Sequence, residues 1–353
     1  MTCILFGYTG HHYKKQIKFM DVVSQAVLGA GLAQSFARDK TRQLSALLIG
    51  ALAGMAADLD VFIASNSDPL LFLEYHRQFT HSLLFIPFGA LACALLLYGF
   101  FKNKLSFFQV YLFSFLGYST HGLLDGCTSY GTQLFWPFSD ERVAWNIISI
   151  VDPLFTLPVL AGIIFAVVKN KRNIARLTFL YALVFICIGF IQKHRADDAL
   201  YALAAERGHS IERYMTKPSF ANRHVWKTVY EAGGRYYVDA VKLLWDSKYI
   251  TGTSVQKLDI QRDYPWLAEN SQQAKDIERF RWFSADYLAV DPADKSVIMD
   301  VRYSHVPNQI KLMWGIRLSQ QQIKDGDLVS HVEFITRSTL DRKSRQEFAD
   351  IIF

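Results

Sequence analysis

The sequence predicts an all-α membrane helical bundle of five to six spans, followed by a small soluble α+β domain with an antiparallel sheet. Three observations lead to this fold class. Apolar residues make up 51% of the 353-residue chain, and nearly all of the excess lies before residue 192. Lys and Arg are concentrated in alternate breaks between the apolar segments. Short strand-like runs with turn residues follow. We therefore divide the chain into a membrane-embedded domain, 1–192, and a soluble domain, 193–353.

The apolar segments differ in length, and their length decides which of them can cross a bilayer. A hydrocarbon core of about 30 Å requires about 20 apolar residues in a helix. Segment 20–37 is marginal at 18 residues. It either spans the membrane or packs against the bundle as an amphipathic helix. The other segments are predicted spans and comprise residues 44–64, 82–101, 107–124, 147–168 and 177–191.

The distribution of basic residues predicts the orientation of these spans. The breaks at 38–42, 102–104 and 169–176 contain nine Lys or Arg, whereas the loops at 65–80 and 126–145 contain one each. Loops rich in Lys and Arg stay on the cytoplasmic side of a membrane. The basic breaks are therefore predicted to be cytoplasmic, and the two other loops and the C-terminal domain to be extracytoplasmic.

Six ionisable residues lie at the ends of these apolar segments: Asp58, Asp60, His76, His81, His121 and Asp125. Such groups are costly in apolar surroundings, about 2.5–3.5 kcal/mol each at a helix centre on insertion scales. The predicted topology places all of them on the outer face. His121 and Asp125 are four residues apart, so they share one face of a helix. This spacing suits two ligands of one metal, or ligands of adjacent metals.

The residue types in this set indicate the chemistry of the predicted metal site. Imidazole and carboxylate ligands suit zinc, manganese or iron. A mixed His/Asp set without thiolates is more typical of a hydrolytic centre than of a structural one. A metal there would polarise the scissile group and lower the pKa of bound water to near 7. Arg77, between His76 and His81, could hold a phosphate or carboxylate. The candidate catalytic residues are Asp58, His81 and Arg77.

Other sequence features argue against several classes of protein. The net charge of +6 is explained by the positive loops of a membrane protein. Because no basic helix carries base-stacking aromatic residues, no nucleic-acid partner is predicted. The four cysteines form no CxxC pair, so neither a disulfide framework nor a thiolate metal site is expected. The chain contains no GxGxxG, P-loop or GxSxG motif. Asp152, before Pro153, is interpreted as a turn or helix cap.

The C-terminal domain has the composition of a soluble α+β fold. The runs 225–230 and 235–241 have strand composition and flank Ala232-Gly233-Gly234, which predicts a hairpin. A short amphipathic helix is expected at 196–206, and helix with loop at 256–279. Further strand-like runs are 282–290, 296–303, 311–317 and 328–336.

Five motifs resemble the YdjM-like family of inner-membrane-associated, metal-dependent hydrolases: MDVVSQAVLGA (20–30), ADLDVF (57–62), YHRQFTHSLLF (75–85), THGLLDGCTSYGTQLFWPFSD (120–140) and IVDPLFTLP (150–158). The resemblance covers roughly the first 190 residues. It implies a multi-pass protein of the bacterial inner (cytoplasmic) membrane with a periplasmic C-terminal domain.

The resemblance also implies a site. Its ligands would be Asp58, Asp60, His76, His81, His121 and Asp125, and its divalent metal would be zinc, with manganese as the alternative. Many relatives carry His at the position of Gln25. The His-x-x-x-Asp pair is also similar to one in zinc phospholipase C and related nucleases.

Together these features predict an integral membrane hydrolase with one or two divalent metals at the outer face. Its partners would be the lipid bilayer and a lipid or envelope-derived (phospho)ester substrate. The alternative is a non-catalytic membrane protein, a transporter or an envelope assembly factor, that uses the same residues structurally. A proton-coupled transporter would place them near mid-membrane within internal repeats, whereas here they lie at segment ends. No sequence feature specifies an oligomeric state.

Overall fold

The computed structural model describes residues 22–337 and 341–352, so the first two residues of segment 20–37 lie outside it. The N-terminal region is helical. Its helices are α1 (Val22–Phe36), α2 (Lys40–Met55), α3 (Leu71–Tyr75), α4 (Ile86–Phe101), α5 (Phe107–Cys127), α6 (Pro153–Lys169) and α7 (Arg172–Glu206). A 3₁₀ helix, Ala56–Phe62, continues directly from α2.

Local side chains explain where several helices begin. The Asp39 carboxylate accepts a hydrogen bond from the backbone N–H of Arg42 at the start of α2. Ser106 and Gln109 form a capping box at the start of α5. Asp152 accepts from the N–H of Leu154 ahead of α6, whose first residue is a proline. The interpretation of Asp152 as a helix cap is thereby confirmed.

Three helical segments of the described chain are long and apolar enough to cross a membrane: Lys40–Phe62, Leu83–Phe101 and Arg172–Glu206. α1 and α6 are apolar but shorter, at 15 and 17 residues. At 1.5 Å per residue, the part of α1 within the described residues is about 22 Å long, less than the hydrocarbon core. Most of its residues are buried against the bundle. The structure therefore has a helical N-terminal region with three candidate spans, where the sequence predicted five to six.

Glycines bring α1, α2 and α5 into backbone contact. A Cβ atom built on Gly117 would lie 2.4 Å from the carbonyl oxygen of Gly50, and one built on Gly29 would lie 2.6 Å from the same oxygen. Only small residues allow helices to approach this closely. The crossing places one end of each of the three helices side by side, with Asp58 and Asp60 directly after α2 and His121 and Asp125 on α5.

Helix α7 is longer than the sequence predicted. Predicted span 177–191 and predicted helix 196–206 are parts of one helix of 35 residues, about 52 Å long. Lys193, His194 and Arg195 interrupt the apolar pattern without interrupting the helix. Past them, Ala196, Ala199 and two further buried residues, Leu200 and Ala204, pack against the C-terminal domain. α7 is therefore the covalent and packing link between the two regions.

The C-terminal domain contains two four-stranded antiparallel sheets, where the sequence predicted one. The first has the order β1 (Arg213–Pro218), β2 (Val225–Ala232), β3 (Arg235–Leu243) and β4 (Ser247–Gln256). The second has the order β5 (Leu288–Asp291), β6 (Asp294–Asp300), β7 (Trp314–Arg317) and β8 (Glu333–Thr336). The helices of the C-terminal domain are α8 (Ile260–Asp263), α9 (Gln272–Phe283), α10 (Gln320–Lys324) and α11 (Arg342–Ile352). The sheets share a core, to which Val238 and Met299 contribute.

The strand predictions succeeded where turns or alternation were clear. The hairpin at Gly233-Gly234 is confirmed, with φ of 57° and 69° at the two glycines. The predicted strand 282–290 is wrong in its first half, because α9 continues to Phe283 and β5 begins only at Leu288. β1 and β4 were missed. They are the edge strands of the first sheet and are mostly half-buried or exposed, so they lack a strong apolar pattern.

The C-terminal domain packs directly on the loops of the bundle that carry the site residues. The Arg279 guanidinium forms ion pairs with Asp68 and with Glu74 of α3, both in the segment between the 3₁₀ helix and His76. Leu70 and Leu73 from the same segment are part of the domain's apolar core. The loops of the bundle and the C-terminal domain therefore form one continuous structure.

Lys227 is a buried lysine in the centre of the first sheet. Its ammonium donates to the Ser304 hydroxyl at 2.8 Å and to the Gln309 carbonyl at 3.2 Å. Burial lowers the pKa of Lys227 from 10.5 to about 7, and the Asp300 carboxylate opposes this change. The folded state thus disfavours the charged form that the unfolded chain keeps up to about pH 10.5. This destabilising contribution is complete below about pH 7 and disappears as the pH rises to 10.5.

We therefore expect Lys227→Met to raise the unfolding temperature most at or below pH 7 and progressively less toward pH 10.5. The gain at low pH should be on the order of a few kcal/mol. Scanning fluorimetry across this pH range measures it. Lys248→Met, which changes an exposed lysine of β4, is the control and should show no such trend. An equal rise in unfolding temperature at every pH would contradict the lowered pKa assigned to Lys227.

Candidate metal centre

The two carboxylates of the ADLDVF motif lie on the 3₁₀ helix after α2. A 3₁₀ helix has three residues per turn, so residues two apart point in directions about 120° apart. Asp58 faces α5, and Asp60 faces the HRQFTHS segment. Both are buried. The two carboxylates therefore point toward different partners from the same turn of helix.

His81 lies at the end of a short 3₁₀ turn, Phe79–His81, that packs against α5. A Cβ atom on Gly122 would lie 2.2 Å from the His81 carbonyl oxygen. The absence of a side chain at Gly122 therefore permits this close approach of the His81 backbone. Nδ1 of His81 lies 3.1 Å from Oδ2 of Asp60, which leaves Nε2 directed toward Asp58 and Asp125.

His121 and Asp125 share one face of α5, as their spacing predicted, and both are fully buried. Nδ1 of His121 donates to the carbonyl oxygen of Gly54, which assigns the lone pair to Nε2. Oδ1 of Asp125 accepts from the Gln25 side-chain amide at 2.6 Å. His121 is thus held on one side and directs Nε2 into the cluster, and Asp125 directs Oδ2, which also forms an ion pair with Arg77, toward the same point.

Four residues converge on one point: Asp58, His81, His121 and Asp125. Their ligand atoms all lie within 4.8 Å of one another. Nε2 of His81 is 3.5 Å from the Asp58 carboxylate and 3.3 Å from that of Asp125, and Nε2 of His121 is 3.3 Å and 3.9 Å from the same two groups. Metal bonds of about 2.0–2.2 Å in a tetrahedron separate the ligand atoms by about 3.3–3.6 Å. Three of these four separations fall in that range and the fourth is 0.3 Å longer, so the cluster is close in size to a tetrahedral metal site.

Hydrogen bonding within the cluster is incomplete in a way that a cation would satisfy. Both Asp58 oxygens, Nε2 of His81 and Nε2 of His121 are buried and have no hydrogen-bond partner among the described residues. A buried polar atom without a partner costs about 1–3 kcal/mol. Four such atoms directed at one point are therefore the expected surroundings of a bound cation.

The charges of the site also favour a cation. Asp58, Asp60 and Asp125 contribute three negative charges and Arg77 contributes one positive charge, which leaves two negative charges when the imidazoles are neutral. Burial alone lowers the pKa of His81, but the carboxylates of Asp125, Asp58 and Asp60 outweigh this and raise it well above its ordinary value. A divalent cation would balance the net charge of the cluster.

Asp60 and His76 lie behind the cluster. Oδ1 of Asp60 is 2.7 Å from Nδ1 of His76, and Oδ2 accepts from the Arg77 N–H at 3.0 Å and from the Thr80 hydroxyl at 2.7 Å. Asp60 also contacts His81 on the side opposite to the cluster. Carboxylates in this position fix the tautomer and orientation of a metal-binding imidazole. The structure thus brings four of the six predicted ligands together and places Asp60 and His76 as their supports.

Arg77 is fully buried, with a φ of 67°. Its Nε lies 2.9 Å from the Asp125 carboxylate, and its Nη1 donates to the Thr128 hydroxyl at 3.2 Å. The guanidinium carbon lies 4.7 Å from the centre of the Tyr130 ring. Sequence reasoning did not assign Thr128 or Tyr130 to the site, although both lie in the THGLLDGCTSYG motif. It left Gln25 without a role, and Gln25 orients Asp125.

The fold and the site define the class: a multi-helix membrane protein whose buried Asp/His cluster could hold a metal ion. The chain belongs to the YdjM inner membrane protein family, which it matches over residues 20–196, half of its length. This match confirms the family resemblance drawn from the sequence motifs.

Two relatives agree with this assignment. The chain is 26% identical to the uncharacterized protein YfhP of Bacillus subtilis over 226 residues, which are 62% of this chain and 67% of YfhP. It is 32% identical to the inner membrane protein YbcI of Escherichia coli over 108 residues, which are 30% of this chain and 61% of YbcI. No solved structure matches the chain.

The geometry distinguishes a ligand from its support. We expect His81→Ala to abolish stoichiometric divalent metal binding, because it removes a ligand atom. His76→Ala should weaken binding by about 10–100-fold, the usual effect of losing an outer-shell partner, while saturation remains reachable. Metal titration with elemental analysis of the purified variants measures both. If His76→Ala abolished binding as completely as His81→Ala, the assignment of four ligands and two supports would be wrong.

Proposed function

We propose that this chain is an integral membrane metal-dependent hydrolase that cleaves a (phospho)ester of a lipid or envelope substrate. The observation that carries the proposal is the convergence of four buried ligand atoms from Asp58, His81, His121 and Asp125, none of which has a hydrogen-bond partner among the described residues, although the Asp125 oxygen forms an ion pair with Arg77. Two imidazoles and two carboxylates without a thiolate suit zinc, with manganese as the alternative. A divalent cation there would supply Lewis-acid polarisation and a lowered pKa for water.

Access to the site supports a hydrolytic role. The side chain of Asp58 is 9% exposed, whereas those of His81, His121 and Asp125 are completely buried. Both Asp58 oxygens are themselves buried, so we propose that water and substrate would reach the site past the partly exposed remainder of this side chain. Both of its oxygens lack hydrogen-bond partners among the described residues, so this carboxylate is the one best able to shift and to accept a proton from an incoming water.

Arg77 would bind the anionic part of the substrate. Its Nε lies against the Asp125 carboxylate and its Nη1 is bound to Thr128. Its Nη2 has no hydrogen-bond partner within the described chain. A guanidinium held on one side with a donor remaining suits a phosphate oxygen. His81 completes the proposed catalytic set of Asp58, His81 and Arg77, because it is held by Asp60 on one side and faces Asp58 on the other.

The topology we propose places this chemistry at the periplasmic face of a multi-pass protein. The C-terminal domain packs on the loop between Asp58 and His81, through Asp68 and Glu74. The domain and the site would therefore lie on the same side of the membrane. The excess of Lys and Arg in the opposite loops assigns that side to the periplasm. A site at the ends of apolar segments would meet lipid substrates at headgroup level.

A structural role for the metal is the second candidate. Four protein ligands at tetrahedral spacing are typical of closed structural sites, whereas catalytic zinc sites usually keep one position open. The near-regular separations of 3.3–3.9 Å favour this alternative. In that case the same residues would hold the outer helix ends together in a transporter or an envelope assembly factor.

Metal analysis combined with a hydrolysis screen tests the proposal. Purified wild-type protein should contain stoichiometric zinc or manganese, and the His121→Ala, Asp125→Ala double variant should contain none. In a screen of phosphoester and lipid substrates, wild type should turn over a substrate that His81→Ala cleaves at least about a hundred-fold more slowly, given that outer-shell changes alone cost about 10–100-fold. The matched control is His194→Ala, whose side chain is 80% exposed.

The outcomes separate the candidates. Turnover that persists in His194→Ala and disappears in His81→Ala supports the hydrolase. Stoichiometric metal without turnover of any substrate supports the structural alternative. Wild-type protein that purifies and reconstitutes without metal contradicts both.

A further inference from the structure

Two loops at one end of the first sheet carry exposed apolar side chains. The loop 219–224 connects β1 to β2, and the loop 244–246 connects β3 to β4. Because β2 pairs antiparallel with both neighbouring strands, the two loops lie at the same end of the sheet. Phe220 is 57% exposed, Leu244 is 51% exposed and Trp245 is 98% exposed. Apolar side chains clustered in this way mark an interaction surface.

Contacts with α7 fix the height of this surface relative to the membrane. Arg195 of α7 donates to the carbonyl oxygen of Leu244 at 2.7 Å. The guanidinium of Arg223, in the other loop, lies 3.8 Å from the centre of the Phe185 ring and donates to the Phe185 carbonyl at 3.2 Å. The loops therefore flank α7 from Phe185 to Arg195, a rise of about 15 Å.

The apolar stretch of α7 ends between these two contacts. It ends at Ile191, and Gln192 follows. At 1.5 Å per residue, Phe185 lies about 9 Å inside this boundary and Arg195 about 6 Å beyond it. The exposed apolar surface of α7, which includes Ile188 and Ile191, is therefore continuous in height with the two loops. The loop end of the sheet lies at the level where hydrocarbon gives way to headgroups.

The residues around the loop tip suit lipid headgroups. Lys248, on β4, is exposed. Lys242, directly opposite on β3, donates its ammonium to the Ile352 carbonyl at 2.6 Å, so only Lys248 is available to a phosphate. Tryptophan with an adjacent aliphatic residue and a nearby exposed lysine is typical of segments that lie in a membrane interface, where the ring spans apolar and polar regions and the ammonium group meets a phosphate.

We propose that residues 219–224 and 244–246 form a membrane-contact surface, with Phe220, Leu244 and Trp245 inserted into the headgroup region of the bilayer next to α7. The occupant of this surface is phospholipid of the leaflet that the C-terminal domain faces. The domain would then be attached to the bilayer at two places, through α7 and through these loops. This would hold the domain at a constant height over the metal centre. The inference does not depend on the reaction that the centre performs.

Quenching of tryptophan emission by brominated lipid tests the proposal. The full chain, which has seven tryptophans, is reconstituted in phosphatidylcholine nanodiscs with or without bromines near the top of the acyl chains. We expect Trp245→Phe to reduce the fraction of emission that the bromines quench. The matched control is Trp266→Phe. It changes a half-buried tryptophan that packs against the apolar core of the C-terminal domain containing Leu70 and Leu73, and it should leave that fraction unchanged.

Iodide in the aqueous phase provides the second measurement. If Trp245 is inserted in lipid, the iodide-quenched emission should be the same for wild type and Trp245→Phe in nanodiscs. The proposal is overturned if bromolipid quenching is unchanged in Trp245→Phe. This holds both if iodide then quenches Trp245 and if a second copy of the chain shields Trp245 from iodide. The unfolding temperature of a Leu244→Ser, Trp245→Ser double variant is the folding control. If it equals that of the wild type, the loss of bromolipid quenching on changing Trp245 reports lost membrane contact and not a loss of folding.

Discussion

The candidate site depends on backbone contact between helix α5 and its neighbours. Gly117 lies against the Gly50 carbonyl of α2, and Gly122 lies against the His81 carbonyl. A single added methyl group at either glycine would enter the space of a backbone oxygen and force the elements apart. Ligand atoms that are 3.3–3.9 Å apart cannot tolerate such a displacement. The ability of the cluster to hold a cation is therefore a consequence of helix packing as much as of ligand identity.

Burial of negative charge is the second constraint. Three carboxylates are enclosed at the end of the bundle next to the C-terminal domain, and each has a different kind of partner. Asp60 accepts from a backbone N–H and a hydroxyl, Asp125 contacts a guanidinium and an amide, and Asp58 has only imidazoles close to it. The least compensated carboxylate is also the most exposed ligand. Asp58 is therefore the ligand that the surrounding protein restrains least.

The C-terminal domain packs against the loops around the site and contributes residues to its surroundings. The Tyr303 hydroxyl donates to the Ser129 carbonyl, one residue before the Tyr130 ring that covers Arg77. Arg142, from the loop after α5, lies 5.0 Å from the centre of the Phe283 ring in α9. Arg77 is therefore enclosed by residues from both regions. A chain without the C-terminal domain would expose the loops that hold this guanidinium.

The sequence alone determined the features that depend on local spacing. These are the helical character of the N-terminal region, the shared face of His121 and Asp125, the cap at Asp152 and the hairpin at Gly233-Gly234. Each follows from residues within a few positions of one another. Only the tertiary structure decided which of six ionisable residues meet and which support them, because that depends on side-chain directions across helices far apart in the chain. It also decided that α7 continues through its charged residues and that the domain has two sheets, since packing against partners outweighed the local pattern in both.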